Sequence, residues 1–584
     1  MRTFLKKDHF PWAPLVIILT GILLYSNTLQ VPFYLDDHHN ITENGAIQFS
    51  KLSFSRIMEA GFQSPLPARP VANVSFALNY FLHQKDVAGY HLVNIIIHIL
   101  AGLFLFLFVE VTFRTPAVKG KHPTHRLIAF WAVLLWFVHP IQTQSVTYII
   151  QRMNSLAAMF YIMAFWCYAK ARFSGGQKRS FFYFTCTALL WMLAMGCKEI
   201  AATLPFVLFI YEWIFFQKGE ARWIKKKIPY LLGLTVIFLL IASMYLGKEP
   251  WDYIMKGYNI RLFSFKERVL TEFRVIFFYI SLMVLPITGR QGLEHDFSLS
   301  ISLFQPWNTF AAFCGIGILF FYAIIVVRSH PLISFSILWL LANLVIESTI
   351  IPLELVFEHR MYLPSMFFFL PICIIVLQYN KIRKASLLVL TCFLVFLGAS
   401  TYARNYDWND PGIFWRKNIS TAPRSERAHN NLGSLLLDQG KYDEAKLVLD
   451  EALRLNPYFA PAYINLGLVH LNQRRLSEAA EHFQKALSIS PNIFEAHLNL
   501  GGIYGEMGNY QLGMVHLQKA VSIRPFSAAA HNNLANALQM LGRYDEALLH
   551  YDEALKLNPQ YENARRNRQI AMRKLMMEKQ KLMK

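Results

Sequence analysis

The sequence predicts an all-α protein: a multi-span helical membrane body of about eleven spans, then a superhelix of short helical repeats. Two observations carry this expectation. Of 584 residues, 54% are hydrophobic and only 16% charged, too apolar for an ordinary soluble chain. A 34-residue period, marked by Pro457, Pro491, Pro525 and Pro559, runs through the C-terminal part.

Uncharged apolar runs recur at 12–29, 91–109, 181–197, 229–246, 307–327 and 366–377, the pattern of membrane crossing. The first run ends in Tyr25-Ser26-Asn27 without a small-x-small site and is expected to stay as an anchor. Between the runs lie the basic clusters Arg2/Lys6/Lys7, Arg114/Lys119/Lys121/Arg126, Arg172/Lys178/Arg179, Lys218/Arg222/Lys225/Lys226/Lys227, Arg328 and Lys381/Arg383/Lys384. Orientation by positive charge makes them cytoplasmic and puts 31–90, 139–152, the Lys198-Glu199 turn, 248–306 and 352–362 outside. The segment 269–287 then has outer sequence on both sides. It is read as a re-entrant or interfacial helix, with Glu272 and Arg274 touching a polar cavity. The N-terminus is expected inside and the C-terminal arm outside. Because the net charge of +20 sits in these clusters, no nucleic-acid partner is indicated. Six cysteines, all in apolar segments and without a CxxC, indicate neither disulfides nor zinc.

The expected organisation is a membrane body at 1–402 with the loop 31–90, a linker at 403–425, four repeats at 426–559, and a capping helix with a basic tail at 560–584. Aligned on the prolines, the repeats read HNNLGSLL…YDEAKLVLDEAL, YINLGLVH…LSEAAEHFQKAL, HLNLGGIY…YQLGMVHLQKAV and HNNLANAL…YDEALLHYDEAL. They resemble tetratricopeptide repeats (TPRs), with small residues such as Gly433/Ala445, Gly467/Ala479, Gly501/Gly513 and Ala535/Ala547 where paired helices cross. Asn431, Asn465, Asn499 and Asn533 recur at one position of each first helix. They are read as an amide ladder for an acceptor peptide, or as bridges between adjacent repeats.

The body carries the polar motifs. Asp36-Asp37 stands in VPFYLDDHHNI; His91, Asn94 and His98 share one helical face; RPVANVSFALNY, FVHPIQTQSVTYIIQR, CKEIAATLPFVL, LEHDFSLS and EHRMYLPS follow in order. From the residues alone the acidic pair is either functional or a turn and helix-capping pair. With His38 and His39 it would supply ligands for a divalent ion, the one cofactor considered.

This ordered set, followed by the repeats, resembles the transmembrane and TPR-containing O-mannosyltransferase family, and the small number of repeats points to a bacterial relative. The resemblance implies a GT-C type glycosyltransferase. It would move a sugar, mannose in the family, from a polyprenyl-phosphate-linked donor to a hydroxyl of an extracytoplasmic protein, from a bacterial inner membrane with the TPRs outside. Such a transfer needs a base for the acceptor proton and positive charge for the departing phosphate. Asp37 is taken as the base and Asp36 as its orienting neighbour. Arg69, Arg152, Lys198, Arg274 and Arg360 are the phosphate candidates, with snorkelling or a local ion pair such as Lys198-Glu199 or Glu358-Arg360 as the alternative. His91, Asn94, His139, Glu199, His295, Glu358 and His359 are the cavity-lining candidates. Two other classes fit the same layout: a non-enzymatic membrane scaffold using the repeats for assembly, and a polysaccharide ligase or polymerase.

Overall fold

The computed structural model describes residues 11–246, 250–259, 261–378 and 382–582. The basic residues Arg2, Lys6, Lys7, Lys381 and Lys584 lie outside the described residues. All regular elements named below are helical, and the chain divides into two units, Met1–Phe414 and Trp415–Lys584.

In the first unit, four helices among the described residues are long and apolar enough to cross a membrane: Val87–Thr112, Glu199–Phe216, Asn308–Ile325 and Arg383–Asp407. The apolar pair His125–Phe137 and Pro140–Val146 is bent by 51°, the geometry of a broken span or of a re-entrant loop. The bend is chemical: Pro140 has no N–H to continue the helix, and His139 Nδ1 caps the new turn by accepting from Ile141 N–H at 3.1 Å. Length and composition therefore count fewer crossings than the expected eleven. Short turns at Glu358–Met361 and Pro364–Phe367 precede a shorter apolar helix. Most of the segment 269–287 lies in the helix Phe265–Val284, which is started by a capping box of Ser264 and Glu267 and ends before 285–287.

A buried polar pin holds the centre. His98 stacks on Phe137 at 4.2 Å, places Nδ1 2.7 Å from Tyr362 Oη and Nε2 3.0 Å from Phe137 O. Gly102 makes room for this, since a Cβ there would stand 2.7 Å from the Phe137 ring.

In the second unit the helices pair as Glu426–Asp438 with Tyr442–Leu455, Ala460–Asn472 with Leu476–Ile489, Phe494–Glu506 with Tyr510–Ile523, and Ala528–Met540 with Tyr544–Leu557. The helix Glu562–Leu582 covers the last pair through Ala564 and Ala571. Residues 403–425, expected as a linker, are largely helical. One helix runs to Asp407, and Pro411–Thr421 starts behind Asp410, whose Oδ1 accepts from Ile413 N–H at 2.8 Å. Proline in the first turn and a capping aspartate read as a helix start rather than a break.

Candidate functional site

Residues 139–154 form a buried strap of short turns, Pro140–Gln142, Thr143–Val146 and Ile149–Gln151, leading into the helix Arg152–Phe173. Gln142, Thr143, Gln144, Ser145 and Thr147 are all fully buried. Buried polar groups need partners, and these tie distant loops together. Gln144 Nε2 donates to Gly292 O at 2.8 Å, its Oε1 accepts from His359 N–H at 3.2 Å, and Thr147 Oγ1 donates to Asn405 Oδ1 at 2.9 Å.

The acidic pair hangs on this strap with its two carboxylates in different surroundings. Asp37 is 1% exposed, and its oxygens accept the N–H groups of Tyr34 at 2.9 Å and Ile150 at 2.7 Å. Burial, reinforced by Asp36, pushes its carboxyl up to about 8 against the pull of those two bonds and of Arg152. Asp36 is exposed, and its main-chain N–H donates to Tyr148 Oη at 3.1 Å. Leu35, just before the pair, has φ of 40°, a left-handed conformation costly for leucine and typical of functional turns. His38 Nδ1 lies 3.3 Å from Thr42 Oγ1, and no group of three His, Cys, Asp or Glu among the described residues is placed to hold an ion.

Three of the five phosphate candidates come together. Lys198 Nζ meets Glu347 Oε1 at 2.7 Å and donates to Asn154 Oδ1 at 3.2 Å, while Asn154 Nδ2 donates to His359 O at 2.7 Å. Arg69 clasps Glu199 with two bonds, 3.0 and 3.2 Å, and rests Nη1 3.5 Å from Met153 Sδ. Arg360 is 3% exposed, and its Nε has no hydrogen-bond partner. Burial first, then Lys198, Arg360 and Arg69, hold the His359 imidazole well below its ordinary range, so it is neutral with an unpartnered Nδ1.

The other two are elsewhere. Arg152 is fully buried and donates to Asn94 Oδ1, Asn79 Oδ1, Tyr90 O and Ser75 O at 2.6 to 3.3 Å. With its donors committed and no exposed surface, it anchors the strap rather than receiving a phosphate. Arg274 is held by Ser298 and Ser300 and lies over the Phe297 ring.

Most of the cavity-lining expectations also change. His91 Nε2 is 2.9 Å from Val31 O, Asn94 donates to Val146 O at 3.1 Å, and His139 Nε2 is 3.1 Å from Met283 O, all three fully buried. They are fasteners between segments. Glu358 accepts from Gly292 N–H at 2.8 Å and pairs with Arg404 at 2.5 Å, with His295 Nε2 3.4 Å away. Glu199 and His359 remain beside the cations. Sequence reasoning missed Tyr148, Asn154, Glu347 and Arg404. For Glu347 a signal existed: a lone carboxylate in the apolar LANLVIESTI run.

In the second unit, the four asparagines are half-buried but not equivalent. Asn465 Nδ2 donates to Asn430 Oδ1 of the preceding repeat at 2.9 Å, whereas Asn499 Nδ2 donates only to Glu495 O of its own helix. Asn431 and Asn533 accept from their neighbours Asn430 and Asn532.

Fold and site together define an integral-membrane helical protein with a strap-mounted carboxylate pair, a buried cation cluster and a TPR arm. TPR family models match residues 430–492, 494–527 and 528–561. The chain is similar to Protein O-mannosyl-transferase Tmtc3 of Drosophila melanogaster, 23% identical over 76% of this chain and 55% of that protein. It is similar to Protein O-mannosyl-transferase tmtc2 of Xenopus laevis, 24% identical over 76% of this chain and 62% of that protein. The chain spans somewhat over half the length of these two proteins, and its repeats are tetratricopeptide repeats. Among solved structures it is similar to YrrB, a TPR protein with an unusual peptide-binding site, 24% identical over 27% of this chain and 81% of that one, with a TM-score of 0.26.

Proposed function

We propose that the chain is a protein O-glycosyltransferase that moves a sugar from a polyprenyl-phosphate-linked donor to a hydroxyl of an extracytoplasmic protein. One observation supports this most: a single buried strap carries both an exposed carboxylate, Asp36 beside Tyr148, and the cations Arg69 and Lys198, bound through Met153 and Asn154. Asp36, rather than Asp37, takes the acceptor proton as the bond from the sugar to the lipid phosphate breaks and the bond to the acceptor oxygen forms. Asp37 has both oxygens on main-chain N–H groups and almost no exposed surface, so it holds the loop in place. Arg69, Lys198 and Arg360 balance the charge growing on the departing phosphate in a site where burial strengthens their field. Glu347 and Glu199 hold Lys198 and Arg69 in position and share their charge with the phosphate, while His359 is neutral among them.

The first helices of the repeats offer Asn431, Asn499 and Asn533 to an acceptor peptide, whose backbone an amide reads without sequence preference. The relatives' printed activity makes mannose the sugar to test first. The body then sits in an inner membrane with the arm extracytoplasmic. Intact-mass spectrometry of extracytoplasmic proteins tests the reading, comparing cells with the wild-type chain, without it, and with Asp36→Asn. A hexose-sized increment present only with the wild type is expected. Identical masses in all three strains would remove the activity.

A further inference from the structure

Three segments distant in sequence meet: 116–121, 217–220 and 327–328. Each directly follows the C-terminal end of a helix able to cross a membrane, Val87–Thr112, Glu199–Phe216 and Asn308–Ile325. They lock to one another. Ala117 N–H donates to Phe215 O at 3.1 Å, and Arg328 Nε donates to Gly219 O at 3.3 Å. Gly219 has φ of 70° and lies so close to Val327 that a Cβ would meet it at 3.0 Å, so the chain can turn there only as glycine.

Between the segments is a cavity of about 540 Å³. Ala117 and Val327 form a buried apolar floor, and the exposed Lys121, Lys218 and Arg328 line it against a single carboxylate, Glu220. Of the neighbouring acids, Glu110 pairs with Arg126 at 2.8 Å and Glu212 with Arg172 at 2.9 Å, Glu212 also accepting from the pocket-lining Gln217 at 2.8 Å.

We propose that this pocket binds the phosphate-bearing headgroup of an anionic membrane lipid. Three cations converging from three loops make a phosphate site, two lysines as point charges and an arginine as a directional fork. A soluble phosphate shares that chemistry, and two features favour the lipid. The pocket stands where three crossing helices end, the level of headgroups, and basic pockets between spans at the positive side recognise them. Its apolar floor suits the glycerol and first methylenes of a lipid and offers nothing to a free anion. The locked loops preform the site, so little ordering opposes binding.

The test uses the full chain in zwitterionic nanodiscs and micelles, with phosphatidylglycerol and phosphatidylcholine of matched chains as probes. Native mass spectrometry is expected to show phosphatidylglycerol retained ~10-fold over phosphatidylcholine. The variant Lys121→Gln/Lys218→Asn, which keeps the Arg328 bond to Gly219 O, should bring the two close to parity while melting as the wild type does in phosphatidylcholine; asparagine tolerates the left-handed φ of 51° at 218. Lys121→Gln alone, which keeps the backbone untouched, should cost ~3-fold of the preference. Added salt should weaken it. No preference in the wild type, or a preference unchanged in both variants, would overturn the site. A melting-temperature rise from millimolar inorganic phosphate equal to that from phosphatidylglycerol would overturn the lipid assignment. Because the readout is binding, it is independent of sugar transfer.

Discussion

In the membrane body, Tyr34 Oη donates to Trp408 O across 374 residues, Thr147 to Asn405 across 258 and Trp136 to Tyr362 O across 226. In the repeat arm, Asn465 reaches Asn430 across 35 residues and Asn567 reaches Asn536 across 31. Both units are helical and both bury small residues where helices cross. The difference is where their specificity resides. The body depends on buried polar groups whose partners lie far along the chain, so a substitution there changes distant segments together. The arm is nearly one-dimensional, each repeat answering mainly to its neighbours.

The largest effect is expected at Arg152. Arg152→Leu leaves Asn94, Asn79 and two carbonyls buried without a donor, each a penalty of about 1 to 3 kcal/mol, and should destabilise the body by about 3 kcal/mol or more. Thermal unfolding in micelles measures it. A loss below about 1 kcal/mol would show that the strap is held by packing instead.

Asp36→Asn comes next. It should lower turnover ~100-fold with donor binding kept, the worth of a positioned base and about 2.7 kcal/mol of barrier. Asp37 behaves differently because its carboxyl is raised: the stability it contributes is present at low pH and lost as pH rises through about 8. The melting temperature of the wild-type body should therefore fall as pH rises from about 4 toward about 8 and level off above that, and Asp37→Asn should flatten that fall. A base signature that follows Asp37 and not Asp36 in the pH–rate profile would exchange their roles.

In the arm, Gly501→Ala would place a Cβ 2.3 Å from Leu517 and should cost about 1 to 3 kcal/mol by overpacking. Hydrogen exchange should report the loosening in the third repeat and its neighbours only. Spread of the effect into the body would break the contrast between the units.

The smallest effect separates two asparagines at the same repeat position. Asn465→Ala removes a bond between repeats and should cost about 1 kcal/mol of arm stability. Asn499→Ala removes only a bond within its own helix; it should leave melting unchanged and weaken acceptor binding. Equal melting losses would make both structural.

Much of the architecture was legible because it is local. The 34-residue period and its small residues located every helix pair, and the basic clusters marked segment ends. Less of the site was legible. Lys198 beside Glu199, and Glu358 near Arg360, read as neighbouring ion pairs, yet Lys198 pairs with Glu347, Glu199 with Arg69, and Glu358 with Arg404. Polar residues in apolar runs signal function, which makes His91, Asn94 and His139 cavity-lining candidates, but a buried strap needs hydrogen-bonding partners of the same kind.

The sequence by itself determined the helical class, the repeat register and the presence of an acidic pair followed by basic motifs, since periodicity and composition act over a few turns of chain. Tertiary structure alone decided that Asp37 is buried and Asp36 exposed, that Arg152 is an anchor while Arg69, Lys198 and Arg360 gather, and that three basic loops close one pocket. Burial and pairing belong to the neighbours a residue acquires, and in the body those neighbours lie hundreds of positions away.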